Sequence, residues 1–353
     1  MTAARAARVV VVGAGVVGLL TALECALAGH RVTVLDRGAI PNPESSSYDQ
    51  HRAIRTLVPG DPDGTRRMVG AHHRWRELET VLGTAFYRRV GVVTAWPRDR
   101  VAAVVSSAAD AGVPVAELDP DDLPHLGFPA GSAGVREAQA GVLLARRVLR
   151  AAARWLAGHP AVALRPYCAV TAVEPESGRV VLAGGEVLGG DLVLVAAGPW
   201  GRGLVDHPVV LRRQTMLYLR PPERLARWWR TAPAVGGLGT DGRAWAVPPG
   251  GGTLLKISSD AVCREVAAAD CADEDQSPWA RRLAEAGVLP DVERYTVVAA
   301  RACHYTTDPD TGGARLARVG PAVWSRAACG GTGFASAPLV AGRIVNAVTE
   351  VAA

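Results

Sequence analysis

Near the start of the chain Gly13, Gly15 and Gly18 keep the G-x-G-x-x-G spacing, and an acid, Asp36, follows about 20 residues later. Gly13 permits a tight turn, Gly15 lets backbone approach a pyrophosphate, and Gly18 lets a helix pack closely on its strand. The positive end of that helix attracts phosphates, and Asp36 would accept from ribose hydroxyls. The triplet alone is equally a glycine-rich turn. With a strand before it, a helix after it and the acid in place, dinucleotide binding is the better reading, and FAD and NAD both stay open. A second candidate stands out by rarity. Lysine and arginine together number 39, yet lysine occurs once, as Lys256. The Arg-, Ala- and Gly-heavy composition reads as codon bias in a GC-rich genome, where a retained lysine suggests chemistry that an arginine cannot do. A solvated strand lysine is the bland alternative.

The elements that position these groups follow from periodicity. Arg8 to Val12 is a short apolar run, an apolar-periodic helix continues through Leu27 and ends at Gly29, and Arg31 to Leu35 is a second strand carrying Asp36 at its carboxyl end. Leu143 to Leu156 reads as a helix, and Val162 to Val173 as strand material. Asp191 to Ala197 is a very apolar strand ending in Gly198, Pro199 and Trp200. Phe86 to Trp96, Arg213 to Arg220, Arg243 to Val247 and Thr253 to Ile257 have the texture of antiparallel strands between Gly/Pro turns. Pro41 to Ser47 and Gly60 to Gly64 read as polar loops. A glycine-rich loop, Cys329 to Phe334, then opens a helix from Pro338 to Val351.

A chain of 353 residues implies two domains. With 49% apolar and 21% charged residues and no long uninterrupted apolar run, it reads as folded and outside the membrane. Arg5 and Arg8 before an apolar stretch imitate a secretory signal, but the nucleotide-binding glycine spacing favours a cytoplasmic structure. The net charge of +5 is scattered over the sequence, so a nucleic-acid partner is not expected. The six cysteines form no CxxC pair, adjacent His72 and His73 face different ways on a helix, and Cys263 and Cys271 lack companions, so no metal is expected.

Several longer motifs narrow the reading. They are the N-terminal βαβ unit, the Ser45-Ser46-Ser47 to Arg55 loop with its H-R-A-I-R, A-H-H-R-W-R-E-L-E at Ala71 to Glu79, and Gly141-Val142-Leu143. D-L-V-L-V-A-A-G-P-W at Asp191 to Trp200 and R-A-C-H-Y-T at Arg301 to Thr306 weigh most. Together they resemble the FAD-dependent D-amino-acid-oxidase superfamily, and within it the monomeric sarcosine oxidase and N-methyl amino acid oxidase group, nearly end to end. The resemblance implies an α/β fold, a Rossmann-type FAD-binding domain (1–85, 142–205 and 306–353) interleaved with a substrate domain on a mostly antiparallel sheet (86–141 and 206–305).

It also implies site residues. FAD would be held by Gly13, Gly15, Val16, Gly18, Asp36, Arg37, Ser46, Arg52, Val170, Gly198, Trp200, Gly331, Thr332 and Gly333, and bound covalently through the sulfur of Cys303 to the 8α carbon of the ring. Cys303 without its flanking residues would read as a small buried hydrophobe. Arg52 would lie near the flavin face, Arg55 would grip a substrate carboxylate with its planar fork, and Tyr305 would line the pocket. Without the family match, Arg52 and Arg55 would equally read as an exposed basic loop. Lys256 would promote reaction of the reduced ring with O2. A cation about 4 Å from a developing anion stabilises it by roughly 4 kcal/mol at an effective dielectric of about 20, approaching a thousandfold in rate.

Three positions depart from the sarcosine oxidase pattern: Ala335 replaces a second carboxylate-binding lysine, Asp260 a histidine, and Trp245 a tyrosine. One cation is lost and an anion and a larger aromatic wall are gained, which suits a bulkier cyclic or aromatic amine better than sarcosine. The implied activity is oxidation of a secondary or cyclic amine or amino acid by a monomeric flavoenzyme. Hydride leaves the α-carbon for flavin N5 to give an imine, Asp260 or water takes the amine proton, and oxygen becomes peroxide. A flavin dehydrogenase with another acceptor, a noncatalytic FAD-binding subunit and an NAD-dependent dehydrogenase are the rivals.

Overall fold

The computed structural model describes residues 5–269 and 275–352. Its first layer grows from β1 (Arg8–Val12), α1 (Val16–Leu27) and β2 (Arg31–Leu35). β1 pairs in parallel with β2 on one side and with Leu192–Val195 on the other. Beyond these, Val162–Arg165 joins β2 and Val323–Cys329 joins Leu192–Val195, again in parallel. Ala314–Arg318 adds an antiparallel edge. Runs such as Val9 to Val12 and Leu192 to Val195 are apolar at every position because both faces of the sheet are covered. Val9, Val11, Leu192 and Leu194 pack under α1 and the helices Ala145–Ala157 and Ala337–Ala352, whereas Val10, Val12, Val193 and Val195 meet a small sheet that includes Val170–Glu174 and Arg179–Leu182. α1 can approach β1 this closely because position 18 is glycine: a Cβ there would stand 1.9 Å from the Gly13 carbonyl oxygen.

The second layer is a nine-stranded sheet, antiparallel except where Ala234–Leu238 runs beside Val92–Pro97. At its centre Val210–Arg220 pairs with the 12-residue strand Thr296–Thr307 on one side and with Leu255–Ser259 on the other; Ala244–Val247 follows Leu255–Ser259. The fold is therefore α/β, a Rossmann-type layer interleaved in sequence with a mostly antiparallel one.

Local chemistry shifts several sequence expectations. Phe86 to Trp96 is not one strand: Gly91, at φ +82°, separates Tyr87–Arg88, which pairs with Gly141–Leu143, from Val92–Pro97. Val162 to Val173 likewise divides, with Tyr167 at φ +57°, so that Val170 begins a strand of the small sheet. Leu143 ends a strand, and the expected helix begins at Ala145. In Gly60 to Gly64, Asp61 and Pro62 start a helix: Asp61 accepts from the Gly64 amide at 2.7 Å, and the helix runs Pro62–Val81.

Candidate active site

A cavity of about 1600 Å³ opens between the two sheets, at the carboxyl ends of the parallel strands. A pocket for one ligand holds about 300–1,000 Å³, so this one has room for a dinucleotide and a further molecule. At one end lie Gly13, Gly15 and Val16, where α1 begins. Its N-cap, Gly15, has no side-chain cap, its first turn carries no acid, and the Val16 amide donates 3.0 Å to Ser47 Oγ from a distant loop. A helix start that lacks a cap from its own N-cap residue and faces a cavity suits a phosphate. Gly18, which the sequence groups with these glycines, lies behind them and serves packing only.

Asp36 borders the same end. One carboxylate oxygen accepts from the Ala14 amide at 2.8 Å, and the other from the Gly38 amide and Asn42 Nδ2, each at 2.9 Å. The carboxylate is thereby fixed beside the turn, with lone pairs to spare for ribose hydroxyls. Arg37 lies 4.1 Å above the Trp200 ring, and Val170 and Gly198 complete this wall. The Gly331, Thr332 and Gly333 turn closes the cavity ahead of Ala337–Ala352. The residues present thus fit a dinucleotide cofactor.

The opposite wall is built by strand register. Cys303 stands opposite Gln214 and Lys256 opposite Tyr218, on the two neighbours of Val210–Arg220. Residues 214 and 218 are four apart on one strand, so period-two alternation turns all of these side chains to one face. Trp245 joins that face from the next strand, its ring centre 5.6 Å from Lys256 Nζ. The Cys303 thiol, pushed up in pKa by burial, borders the cavity with Sγ 3.8 Å from the Ser46 carbonyl, while Ser46 Oγ donates to the His304 carbonyl.

Asp49, which the sequence did not single out, organises this wall. It accepts from Lys256 Nζ at 2.7 Å, from Tyr218 Oη at 2.6 Å and from Arg52 Nη1. Burial alone would raise its carboxyl, but Lys256, Arg52 and Tyr218 hold it well below the usual carboxylate range. Lys256 also donates 2.6 Å to the His51 carbonyl, and its side chain is only 2% exposed. Burial pulls its ammonium down to about 8, with Arg52 adding to the fall and Asp49 opposing it. Its reading as a solvated strand lysine therefore fails.

The outer part of the cavity carries Arg55 and Asp260, both exposed, together with Trp245, Tyr305 and Ala335. Tyr305 Oη lies 3.2 Å from Cys263 Sγ. Every site residue expected from the sequence except Gly18 thus borders one cavity. Ser47, Asp49, Tyr218 and Arg326 were missed. Only the Ser45-Ser46-Ser47 run held a sequence signal; the roles of the others depend on burial and on contacts such as Tyr218 and Lys256 with Asp49, 169 and 207 residues apart. Among the described residues no group of His, Cys, Asp and Glu is placed to hold a metal; Cys271 lies outside them. No described helix is long and apolar enough to cross a membrane.

A model of the FAD-dependent oxidoreductase family matches residues 8–347. The chain belongs to this family. Its fold is that of an FAD enzyme. Among curated members, the chain is 26% identical over 214 residues to peroxisomal sarcosine oxidase of Mus musculus, covering 57% of this chain and 52% of the relative. It is 30% identical over 222 residues to glycine oxidase of Pseudomonas putida, covering 56% and 57%. The matched stretches span little more than half the length of these relatives. Among solved structures, L-proline dehydrogenase from P. horikoshii superposes with a TM-score of 0.81 at 18% identity, over 99% of this chain and 94% of that one, and shares the fold.

Proposed function

We propose that this FAD-dependent oxidoreductase is an oxidase of a secondary or cyclic amine or amino acid, with FAD attached through Cys303 and O2 as the acceptor. The observation that carries the proposal is the single lysine, Lys256, buried in the same cavity wall as Cys303 and Arg52. FAD, when bound, would supply the acceptor for the hydride that leaves the α-carbon and the redox chemistry for reoxidation by O2. The protein does the rest. Arg55 offers a fork for a substrate carboxylate at the outer end, Trp245 gives a face for a cyclic or aromatic body, and Asp260 accepts the proton that the amine must lose. Lys256 keeps a compact charge where negative charge develops on oxygen, and Asp49 fixes its position. The names of the curated relatives, sarcosine oxidase and glycine oxidase, agree with a small amine substrate.

One observation favours a second reading. Asp49 counters the charge of Lys256, which suits a dehydrogenase that avoids oxygen; peroxide release during turnover in air separates the two. The attachment is tested by acid precipitation of the purified protein. Yellow colour should stay in the wild-type pellet and leave that of Cys303→Ala; equal retention in both would remove Cys303 from the proposal.

A further inference from the structure

Four of the cations that border the cavity are paired with carboxylates: Arg52 and Lys256 share Asp49, Arg37 meets Glu44 at 3.1 Å, and Arg67 meets Asp61 at 3.4 Å. Among the described residues Arg55 and Arg243 have none, but they are exposed, so water solvates them. Arg326 has neither. It lies on Val323–Cys329, mostly withdrawn from solvent, and no carboxylate among the described residues comes within ion-pair distance of it. Its guanidinium makes a single described bond, from Nη2 to Ser336 Oγ at 3.2 Å, and its Nε is buried without a partner. Burial lowers its pKa, and the partial relief comes only from the thiol of Cys329.

A guanidinium has five N–H donors and stays charged, so one neutral acceptor leaves most of its needs unmet. A buried charge without a partner is expensive to keep. It is sustained here at the border of a ligand cavity, beside the positive N-terminus of Ala337–Ala352. Two positive features meet with no described anion between them. We propose that Arg326 receives an oxyanion of the bound ligands, either a negatively charged oxygen of FAD or the carboxylate of the substrate. The inference rests on the flavin reading of the cavity. It gives the cavity a second carboxylate- or phosphate-grade cation in place of the one missing at Ala335, one residue before Ser336.

The test compares wild type, Arg326→Gln and Arg326→Lys as purified holoproteins by three measurements. These are flavin per chain, affinity for sulfite read from bleaching of the flavin band, and response of that band to benzoate with benzyl alcohol as the uncharged control. If FAD supplies the oxyanion, Arg326→Gln loses flavin or binds sulfite about tenfold more weakly, the scale of one lost charge-assisted hydrogen bond. If the substrate carboxylate supplies it, flavin and sulfite stay at wild-type values, while benzoate binding alone weakens about tenfold. Arg326→Lys should fall between. Wild-type values throughout in Arg326→Gln overturn the proposal. So does an Arg326→Gln that fails to fold beside an Arg326→Lys that matches wild type, because Arg326 would then be structural. A wild type that carries no flavin contradicts the flavin reading itself, and this inference with it.

Discussion

Asp49 joins three side chains whose positions no sequence pattern relates. Its partners Arg52, Tyr218 and Lys256 lie 3, 169 and 207 residues away. Removing one member of a buried ion pair costs about 3–5 kcal/mol because the remaining charge is stranded. Asp49→Ala should therefore lower the free energy of unfolding by at least about 3 kcal/mol in urea titrations; a change within 0.5 kcal/mol, the range of an ordinary surface substitution, would deny the cluster its role. Lys256 was legible from composition, and Cys303 and Arg55 from their flanking motifs. Asp49, Tyr218 and Arg326 were not, because their significance is a matter of burial and of partners brought together by sheet register.

At the scale of elements, the βαβ unit was the most legible part of the chain, since periodicity, glycine spacing and the acid at the end of β2 agree. Failures came where one local signal has two uses. Asp61 and Pro62 open a helix as readily as a turn, and positive φ at Gly91 and Tyr167 divides what reads as continuous apolar strand. The motif's separate uses of Gly15 and Gly18, by contrast, were legible: one faces the cavity, the other the inside of the α1–β1 contact. Gly18→Ala places a methyl into the Gly13 carbonyl and pushes α1 from β1. It should cost about 1–3 kcal/mol and reduce flavin content together, as read by thermal unfolding and flavin absorbance. Unchanged flavin content would mean that flavin binding does not depend on this contact.

For the whole molecule, the cavity forms only when the two sheets meet, and the Asp49 loop that joins them makes the protein sensitive to acid. His51 is fully buried, and burial, followed by the charge of Lys256, pulls its pKa down to about 3. Its folded pKa is below its unfolded one, so the unfolded chain binds the extra proton and stability falls as pH drops from about 6.5 toward 3. Asp49, held below the usual carboxylate range, acts in the same direction at lower pH. Between pH 7 and pH 5 the loss from His51 is about 2 kcal/mol, at about 1.36 kcal/mol per unit. Urea unfolding across this range should show it, and His51→Gln should flatten the profile; equal slopes in both would assign the acid loss elsewhere.

The oxidase reading depends most directly on Lys256, and stopped-flow spectroscopy of Lys256→Met measures its part. Reduction by an amine without oxygen should match wild type, while reoxidation by O2 should slow by a factor approaching a thousand. In wild type, reoxidation should also weaken as pH rises through about 8, where Lys256 loses its proton. Reoxidation of Lys256→Met at the wild-type rate would contradict the account.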